Sequence, residues 1–423
     1  MLGTSLPARL DLDDGEPLEL VRVPPDPAGP GLPEAVRGAV HVDAIHDGNR
    51  IPAEYLSHAP EPAWEGLQAR YATERDWGAA LLAGALAGAL RLEGFHRVNT
   101  ARVLLDFGRF PGVTPSGAGE KERCAIHAPF DSWLTFDQRR RLLEGHYDRI
   151  SADMARCIEG ARIKVAVHTH DPGPDGARTR PPVTLLTQVK RPAHGAGSDR
   201  PSHALGPFDP LFPPELFQST ADRLLRARLT LTLEEHGINV SENDPEPLPL
   251  GSVEARGIVW KYFRELRQAY ERAHPCRPER RSARELVWEM LSDTSLRSGT
   301  AVSLRGSIHQ LRNPPPVFAD QFDAALREYE AIRHHVLDHW DEWVAEAANP
   351  ARRTSFLVVL VRKDILWNGT QGPFGAPRRE PARQLARVLA KGIRRYFSED
   401  RRELWDCDVR RSLPPIRLAS VAD

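Results

Sequence analysis

Three groups of residues with metal-binding side chains occur where apolar segments of the sequence begin or end. His46 follows one such segment, Glu74 and Asp76 precede a second, and His168 and His170 end a third. Two histidines and one carboxylate from separate strand ends are the ligand set of a catalytic zinc site that keeps one position open for water. The residues therefore predict a zinc centre, with the choice between the two acids and between the last two histidines left open.

The hydrophobic pattern predicts the elements that would hold these side chains. Alternating or continuous apolar runs predict strands at 41–45, 98–105, 163–167, 183–189, 237–240 and 355–361. Longer amphipathic or apolar segments predict helices at 77–92, 134–160, 216–235 and 379–397. Helices that alternate with strands predict an α/β fold, in which a mixed, largely parallel sheet carries helices on both faces.

Several motifs along the chain share their order with those of a known family. They are His46-x-Gly-x-Arg-Ile-Pro, Asp76-Trp77, Arg102-x-x-x-Asp-x-x-Arg109, the strand that ends at His170, the segment 237–245 and the late strand with Arg362. Together they resemble the successive signatures of N-formylglutamate amidohydrolases, which are relatives of zinc carboxypeptidases and aspartoacylases. The resemblance implies the zinc carboxypeptidase-like version of the fold above.

The resemblance also selects among the candidate ligands. It implies a metal held by His46, Asp76 and His170, and it leaves His168 as a partner of a ligand or as a contact of the substrate. Imidazole and carboxylate suit a borderline divalent ion, so Zn²⁺ is expected, with Ni²⁺ and Fe²⁺ ranked after it. Glu74, the other acid of this segment, is expected either to cap the helix or to act in catalysis.

Substrate-binding residues follow from the same resemblance. It implies that Arg102, Arg109, Asn243 and Arg362 bind the substrate, because a planar guanidinium binds a carboxylate through two hydrogen bonds. A formylated or acylated amino acid offers such a carboxylate. The alternative is that each arginine only pairs with an acid nearby in sequence, namely Asp106 for the first two and Asp364 for Arg362.

Two positions depart from the family pattern. Gly108 stands where the family has an asparagine, and Leu360 stands where the late strand carries the glutamate expected as general base. The function expected is therefore that of a metal-dependent amidohydrolase that cleaves a formyl or acyl amide on an acidic substrate, with Glu74, Asp47 or Glu246 in place of the missing base. The alternative is a non-hydrolytic ligand-binding or regulatory protein that kept the metal pocket.

The chain is predicted to consist of an N-terminal arm (1–38), a metallohydrolase-like core (39–253), a helical insertion (254–352) and a segment that completes the core and ends in a tail (353–423). The insertion is predicted from charged helices at 257–274, 282–292 and 318–348, which no convincing strand interrupts. Such a unit could form a lid or a partner surface.

Composition limits the classes of partner. The 57 basic and 58 acidic residues leave a net charge of −1, which argues against nucleic-acid binding. The first residues contain no apolar segment of signal-peptide length, and no apolar run is long enough for a membrane span, so a cytoplasmic protein is expected. A small acidic amide is expected as its substrate, and homo-oligomerisation is left open. Its cysteines are far apart and form no Cys-x-x-Cys pair, which argues against disulfides and against a cysteine zinc site; they are Cys124, Cys157, Cys276 and Cys407.

Overall fold

The structure is a computed structural model. It describes residues 10–13, 15–57, 63–111, 124–126, 128–173, 180–190, 208–276, 278–295, 297, 299–309, 319–349, 353–369 and 375–398. The strands in this part of the chain are β1 (Leu18–Arg22), β2 (Val40–Ala44), β3 (Gly94–Val98), β4 (Ile163–His170), β5 (Val183–Leu186), β6 (Val240–Glu242), β7 (Ser355–Arg362), β8 (Trp367–Asn368) and β9 (Ala376–Pro377).

The helices of the described residues fall into two groups. Those of the sheet-forming part are α1 (Glu34–Arg37), α2 (Ala63–Glu74), α3 (Ala79–Leu90), α4 (Phe130–Trp133), α5 (Phe136–Leu142), α6 (Arg149–Cys157) and α7 (Arg223–Glu235). Later in the chain follow α8 (Val253–Ala273), α9 (Arg281–Ser292), α10 (Gly299–Ile308), α11 (Ala319–Asp338), α12 (Trp340–Ala348), α13 (Lys363–Leu366) and α14 (Arg379–Ser398). A π-helical turn joins α5 to α6.

Seven of these strands form one sheet in the order β1-β3-β2-β4-β7-β5-β6. The four central strands β3, β2, β4 and β7 are parallel, β1 is antiparallel at one edge, and β5 with β6 runs opposite to β7 at the other. The predicted fold class, a mixed and largely parallel sheet, is therefore confirmed. Because the central strands share a direction, their carboxyl ends lie together at the same end of the sheet.

Helices cover both faces of this sheet. Alternate residues of a strand point to opposite faces. On β4, Val165 belongs to a core shared with α3, α7 and α14, whereas Ala166 belongs to a core shared with α8 and the helices after it. Every residue of α3 is buried, as its composition of Ala, Leu and Gly predicts. The result is a three-layer arrangement.

The prediction of a strand at 98–105 is wrong in its position. The strand β3 ends at Val98, and the apolar residues from Ala101 to Leu105 lie in buried turns. They are buried because the loop packs against a third core beside α5 and α6, in which Val103 and Leu104 are included. An apolar run therefore indicated burial correctly but not the conformation.

Residues assigned to the N-terminal arm contribute to the sheet. Leu18–Arg22 form β1, which pairs antiparallel with β3 from Leu18 opposite Val98 to Arg22 opposite Gly94. The predicted insertion begins at the first turn of α8, where Ser252 caps the helix and Val253 to Arg256 are buried. The division into four segments stays a prediction. None of the described helices combines the length and apolarity that a membrane span requires.

Candidate functional site

The candidate site lies at the edge of the sheet where β2, β4 and β7 end. His46 lies two residues beyond β2, His168 lies near the end of β4, and Asp76 precedes α3. One side-chain ligand atom of each of these residues lies within 4.8 Å of the others. The ends of parallel strands are the usual position of ligand sites in α/β proteins. The three residues form what we call the His-Asp-His group.

His46 is oriented by a second carboxylate. Its Nε2 lies 3.1 Å from Oδ1 of Asp106, and its Nδ1 lies 3.8 Å from Oδ2 of Asp76. Within the described residues, neither of these buried ring nitrogens has a partner in hydrogen-bond geometry. Burial, followed by the charge of Arg102, lowers the pKa of His46, so the imidazole is neutral at neutral pH. A neutral ring with Nε2–H directed at Asp106 would leave Nδ1 as an electron-pair donor facing the group.

Gly108 leaves space for this contact. A Cβ atom at position 108 would lie 3.0 Å from Oδ1 of Asp106 and 3.6 Å from Cε1 of His46. The backbone N–H of Gly108 also donates to Asp106 Oδ1 over 2.8 Å. The departure from the family asparagine at this position therefore coincides with a close approach of Asp106 to the histidine.

Asp76 and His168 form a buried, hydrogen-bonded pair. Their Oδ2 and Nδ1 atoms are 2.9 Å apart. Burial raises the pKa of Asp76, but the hydrogen bond from His168 and the charge of Arg102 outweigh burial and hold this pKa at about 2. Burial lowers the pKa of His168, but the hydrogen bond to Asp76 and the charges of Asp76 and Glu254 outweigh burial and raise this pKa to about 9. Without a metal, a proton therefore occupies the space between these two side chains.

A buried ion pair between Asp47 and Arg75 holds together the two backbone segments that carry His46 and Asp76. Asp47, the residue after His46, accepts a hydrogen bond from Nε of Arg75, the residue before Asp76. The other oxygen of Asp47 accepts from the N–H of Ala80 over 2.7 Å in the first turn of α3. The backbone N–H of Asp76 donates to the carbonyl of His46 over 3.0 Å. The two proposed ligands are thus held in register by their immediate neighbours.

Two of the predicted substrate arginines lie beside the His-Asp-His group and contact its acids. Arg102 donates to Oδ1 of Asp76 over 3.2 Å and also contacts Asp106. Nε of Arg109 lies 3.0 Å from Oδ2 of Asp106. Their side chains remain 31% and 18% exposed, so both are partly accessible to solvent. The pairing with Asp106 that the alternative expected is present, and substrate binding by these arginines stays a prediction.

The sequence analysis did not identify Glu254 as a site residue. Its side chain is 2% exposed, and its Oε1 lies 3.8 Å from Nε2 of His168 and 3.2 Å from Nζ of Lys164. Lys164 also lies 3.1 Å from Asp43. A lysine inside the apolar run of β4 was the available signal, because a buried ammonium group requires a carboxylate partner. The sequence does not say which carboxylate supplies it.

His168, rather than the predicted His170, joins His46 and Asp76. The two histidines are two residues apart on β4 and therefore point to the same face of the sheet, about 7 Å apart along the strand. His170 is not part of the group. Its Nδ1 donates to the carbonyl of Asp171 over 2.9 Å, and its buried Nε2 has no hydrogen-bond partner among the described residues. The alternation of side chains along a strand could not decide which histidine joins the group, because both point to the same face. They differ only in their position along β4.

The remaining predicted residues lie at different distances from the group. Glu74 is paired with Arg70 at 2.7 Å, and its charge contributes to a raised pKa of Arg102, so it lies near the site. Arg362 pairs with Asp364 at 2.7 Å, as the alternative reading expected. The side-chain oxygen of Asn243 accepts from the backbone N–H groups of residues 187 and 188, which gives it a structural role after β5.

The donor set fits a divalent metal. It offers a neutral imidazole with an unused buried nitrogen, a carboxylate and a second imidazole, and each imidazole has its other nitrogen directed at a carboxylate. Such carboxylate–histidine pairs commonly orient metal-binding histidines. The residues could therefore hold a divalent metal ion.

Solved structures similar to this chain include the following two. An N-formylglutamate amidohydrolase from Ralstonia eutropha JMP134 is similar over 90% of this chain and 96% of its own, with a TM-score of 0.44 and 14% identity. The gene product Atu2144 from Agrobacterium tumefaciens is similar over 91% of this chain and 96% of its own, with a TM-score of 0.41 and 14% identity. No family model and no curated protein matches the chain.

Proposed function

We propose that this protein is a metal-dependent amidohydrolase that acts on a small acidic amide. The observation that carries the proposal is the His-Asp-His group itself, in which the ligand atoms of His46, Asp76 and His168 converge within 4.8 Å at the carboxyl edge of the sheet. A carboxylate behind each imidazole would hold the rings in place when the metal binds. The motifs that resemble N-formylglutamate amidohydrolases contain two of these three residues.

Zinc bound by the group would supply a Lewis acid that polarises the amide carbonyl and lowers the pKa of water. The protein residues supply orientation and charge. Asp106, with Oδ1 3.1 Å from Nε2 of His46, would favour a proton on that nitrogen, which would leave Nδ1 as a donor of electrons. Glu254 faces Nε2 of His168, the ring edge opposite to Asp76, and therefore positions His168 without reaching the open side of the group.

Arg109 and Arg102 are proposed to attract the carboxylate of the substrate. Both contact Asp106 on one side and solvent on the other, so an entering carboxylate can approach them without leaving a buried charge. In the reaction, water adds to the amide carbon, the C–N bond breaks, and the leaving amine gains a proton. A formyl or other acyl group on an acidic amino acid has this combination of a carboxylate and an amide.

Glu74 is proposed as the carrier of the proton. It ends α2 two residues before Asp76, and its charge acts on Arg102, which contacts Asp76. An ionised carboxylate in this position can accept a proton from water and then donate it to the leaving amine. Position 360, where the family pattern has its glutamate, carries a leucine that cannot perform this step.

A ligand-binding protein is the second candidate, and Leu360 is the observation that favours it. If no carboxylate replaces the missing glutamate, the same metal and arginines would bind an acidic amide without hydrolysing it. Metal affinity and ligand affinity would then be retained while turnover is absent.

The test is hydrolysis of a panel of N-formyl and N-acyl amino acids by zinc-loaded protein, with metal content measured on the same samples. We expect turnover of acidic members of the panel and its loss in Asp76→Asn. Arg22→Met, on an exposed pair at the distant edge strand β1, is a matched control that should retain full activity. If zinc-loaded wild-type protein binds members of the panel but hydrolyses none of them, the ligand-binding protein would be favoured over the enzyme.

A further inference from the structure

A second group of metal-binding side chains lies on the sheet, away from the His-Asp-His group. It consists of His41 at the start of β2, His96 on β3 and Cys157 at the end of α6, and one ligand atom of each lies within 4.8 Å of the others. The imidazole rings of His41 and His96 are stacked with centroids 4.7 Å apart. Nε2 of His96 lies 3.3 Å from Sγ of Cys157. We call these residues the His-His-Cys group.

The buried member of this group has an unused polar atom. The side chain of His41 is 8% exposed, and its Nε2 has no hydrogen-bond partner within the described residues. A buried imidazole nitrogen without a hydrogen bond is costly unless another ligand satisfies it. His96 and Cys157 are only partly buried, so an ion could enter from their side.

Charge near the group also favours a cation. Oδ2 of Asp43 lies 3.5 Å from Nε2 of His41, and Asp43 is paired at sheet register with His96. Lys164 lies on the far side of Asp43, at 3.1 Å from the same oxygen. The carboxylate is therefore held in position beside the group and can either orient His41 or complete the coordination.

We propose that the His-His-Cys group binds Zn²⁺ through two imidazoles and one thiolate, as a site separate from the His-Asp-His group. Tetrahedral zinc with nitrogen ligands at about 2.0 Å and a sulfur ligand at about 2.3 Å places ligand atoms about 3.3 to 3.6 Å apart. The distance between His96 and Cys157 already lies in this range, and small rotations of the stacked rings would bring in His41. Thiolate together with imidazole is a donor set that zinc prefers.

No two cysteines are close in sequence, and this spacing argued against a cysteine zinc site. The proposed site uses a single cysteine, because the packing of α6 brings Cys157 to His41 on β2 and His96 on β3. His41 is five residues from His46 along β2 and its exit, which corresponds to about 16 Å in extended chain. The two groups are thus at opposite ends of the same strand.

Metal at this position would join three elements of the fold. β2 leads directly to His46, and α6 leads into β4, which carries His168. Zinc that binds the folded chain but not the unfolded chain stabilises the fold by mass action. The ion would therefore strengthen the frame of the His-Asp-His group without contacting its substrate.

Cobalt substitution tests the proposal because it reports sulfur ligands. The full-length protein is freed of metal with a chelator, its fold is checked by circular dichroism, and it is titrated with Co²⁺. We expect the near-ultraviolet charge-transfer absorption of a thiolate–cobalt bond, and its loss when Zn²⁺ is added. Since the His-Asp-His group contains no sulfur, it cannot produce this absorption.

Variants assign the absorption to the group. Cys157→Ser should abolish it and remove one equivalent of zinc, and His96→Ala should weaken it strongly. Cys124→Ser and Cys276→Ser are matched controls that should retain it. His46→Ala should also retain it, so the result does not depend on the proposed hydrolase activity. The proposal would be overturned if the folded protein showed no thiolate–cobalt absorption after Co²⁺ is added. It would also be overturned if the absorption persisted in Cys157→Ser.

Discussion

Leu360 lies directly beside His168 in the sheet, because β7 and β4 are paired in parallel with these two residues in register. Neighbouring strands are about 4.8 Å apart, and paired side chains point to the same face. The side chain of Leu360 packs against the core formed with α8 and the helices after it. The position at which the family pattern has a proton acceptor is thus adjacent to the His-Asp-His group but apolar.

The first prediction concerns Glu74 as the substitute for that acceptor. Glu74→Gln should lower kcat by about 10²-fold with KM nearly unchanged, because a positioned general base is typically worth that amount. Steady-state kinetics on a formyl amino acid, with zinc content checked, measures this. Arg70→Met is the control, since it breaks the Arg70–Glu74 pair but retains the carboxylate.

The second prediction concerns Leu360 itself. If Glu74 carries the proton, Leu360→Glu should change kcat by less than about threefold. Leu360→Gln should have a similarly small effect on kcat. A rise of about 10²-fold in Leu360→Glu that is absent in Leu360→Gln would show that the wild-type site lacks a base. The assignment of Glu74 would then be withdrawn.

The third prediction concerns the metal ligands. His46→Ala and His168→Ala should each lose one equivalent of zinc, because each removes an imidazole from the His-Asp-His group. His170→Ala should keep it, since His170 is not among the residues whose ligand atoms converge within 4.8 Å at this site. Metal analysis after equilibrium dialysis distinguishes the variants. Loss of zinc in His170→Ala with retention in His168→Ala would restore the assignment made from the sequence motifs.

The fourth prediction concerns the ion pair between Asp47 and Arg75. Arg75→Met should destabilise the fold by about 3 to 5 kcal/mol, because it leaves the Asp47 carboxylate buried without its guanidinium partner. Both side chains are 1% exposed or less. In the matched control Arg22→Met, the exposed pair with Glu93 should contribute less than about 1 kcal/mol. Equal effects of the two substitutions on denaturant unfolding would contradict the role assigned to Asp47 and Arg75.

The fifth prediction concerns pH and the buried carboxylates around Lys164. Burial raises the pKa of Asp43 and of Glu254, but the charge of Lys164 outweighs it, and both pKa values lie below their ordinary range. Carboxylates with lowered pKa stabilise the fold above about pH 4.5, and this contribution is lost as the pH falls further. The lysine stays charged throughout that range, because its own pKa is raised.

Lys164→Met should therefore destabilise the fold by about 3 to 5 kcal/mol near neutral pH, where it removes the ammonium partner of two buried carboxylates. The difference from wild type should shrink as the pH falls toward about 4, because the variant can protonate these groups at little cost. Unfolding free energies of the metal-free proteins across this range provide the measurement. A difference that does not change with pH would show that Lys164 does not stabilise the ionised carboxylates.

By itself, the sequence determined the alternation of strands and helices, the buried character of α3 and the motifs around His46 and Asp76. These features depend on local patterns, namely the period of apolar residues and the spacing of polar ones. The run from Ala101 to Leu105 shows the limit, because apolar composition predicted its burial while packing against α5 and α6 decided that it forms turns.

Only the tertiary structure decided which side chains meet. His168 and His170 share one face of β4, so their choice depends on where Asp76 arrives from another element. Glu254 reaches His168 through the packing of α8, and Cys157 reaches His41 through the packing of α6. Contacts between residues distant in sequence depend on how the elements pack, and local spacing does not encode that geometry.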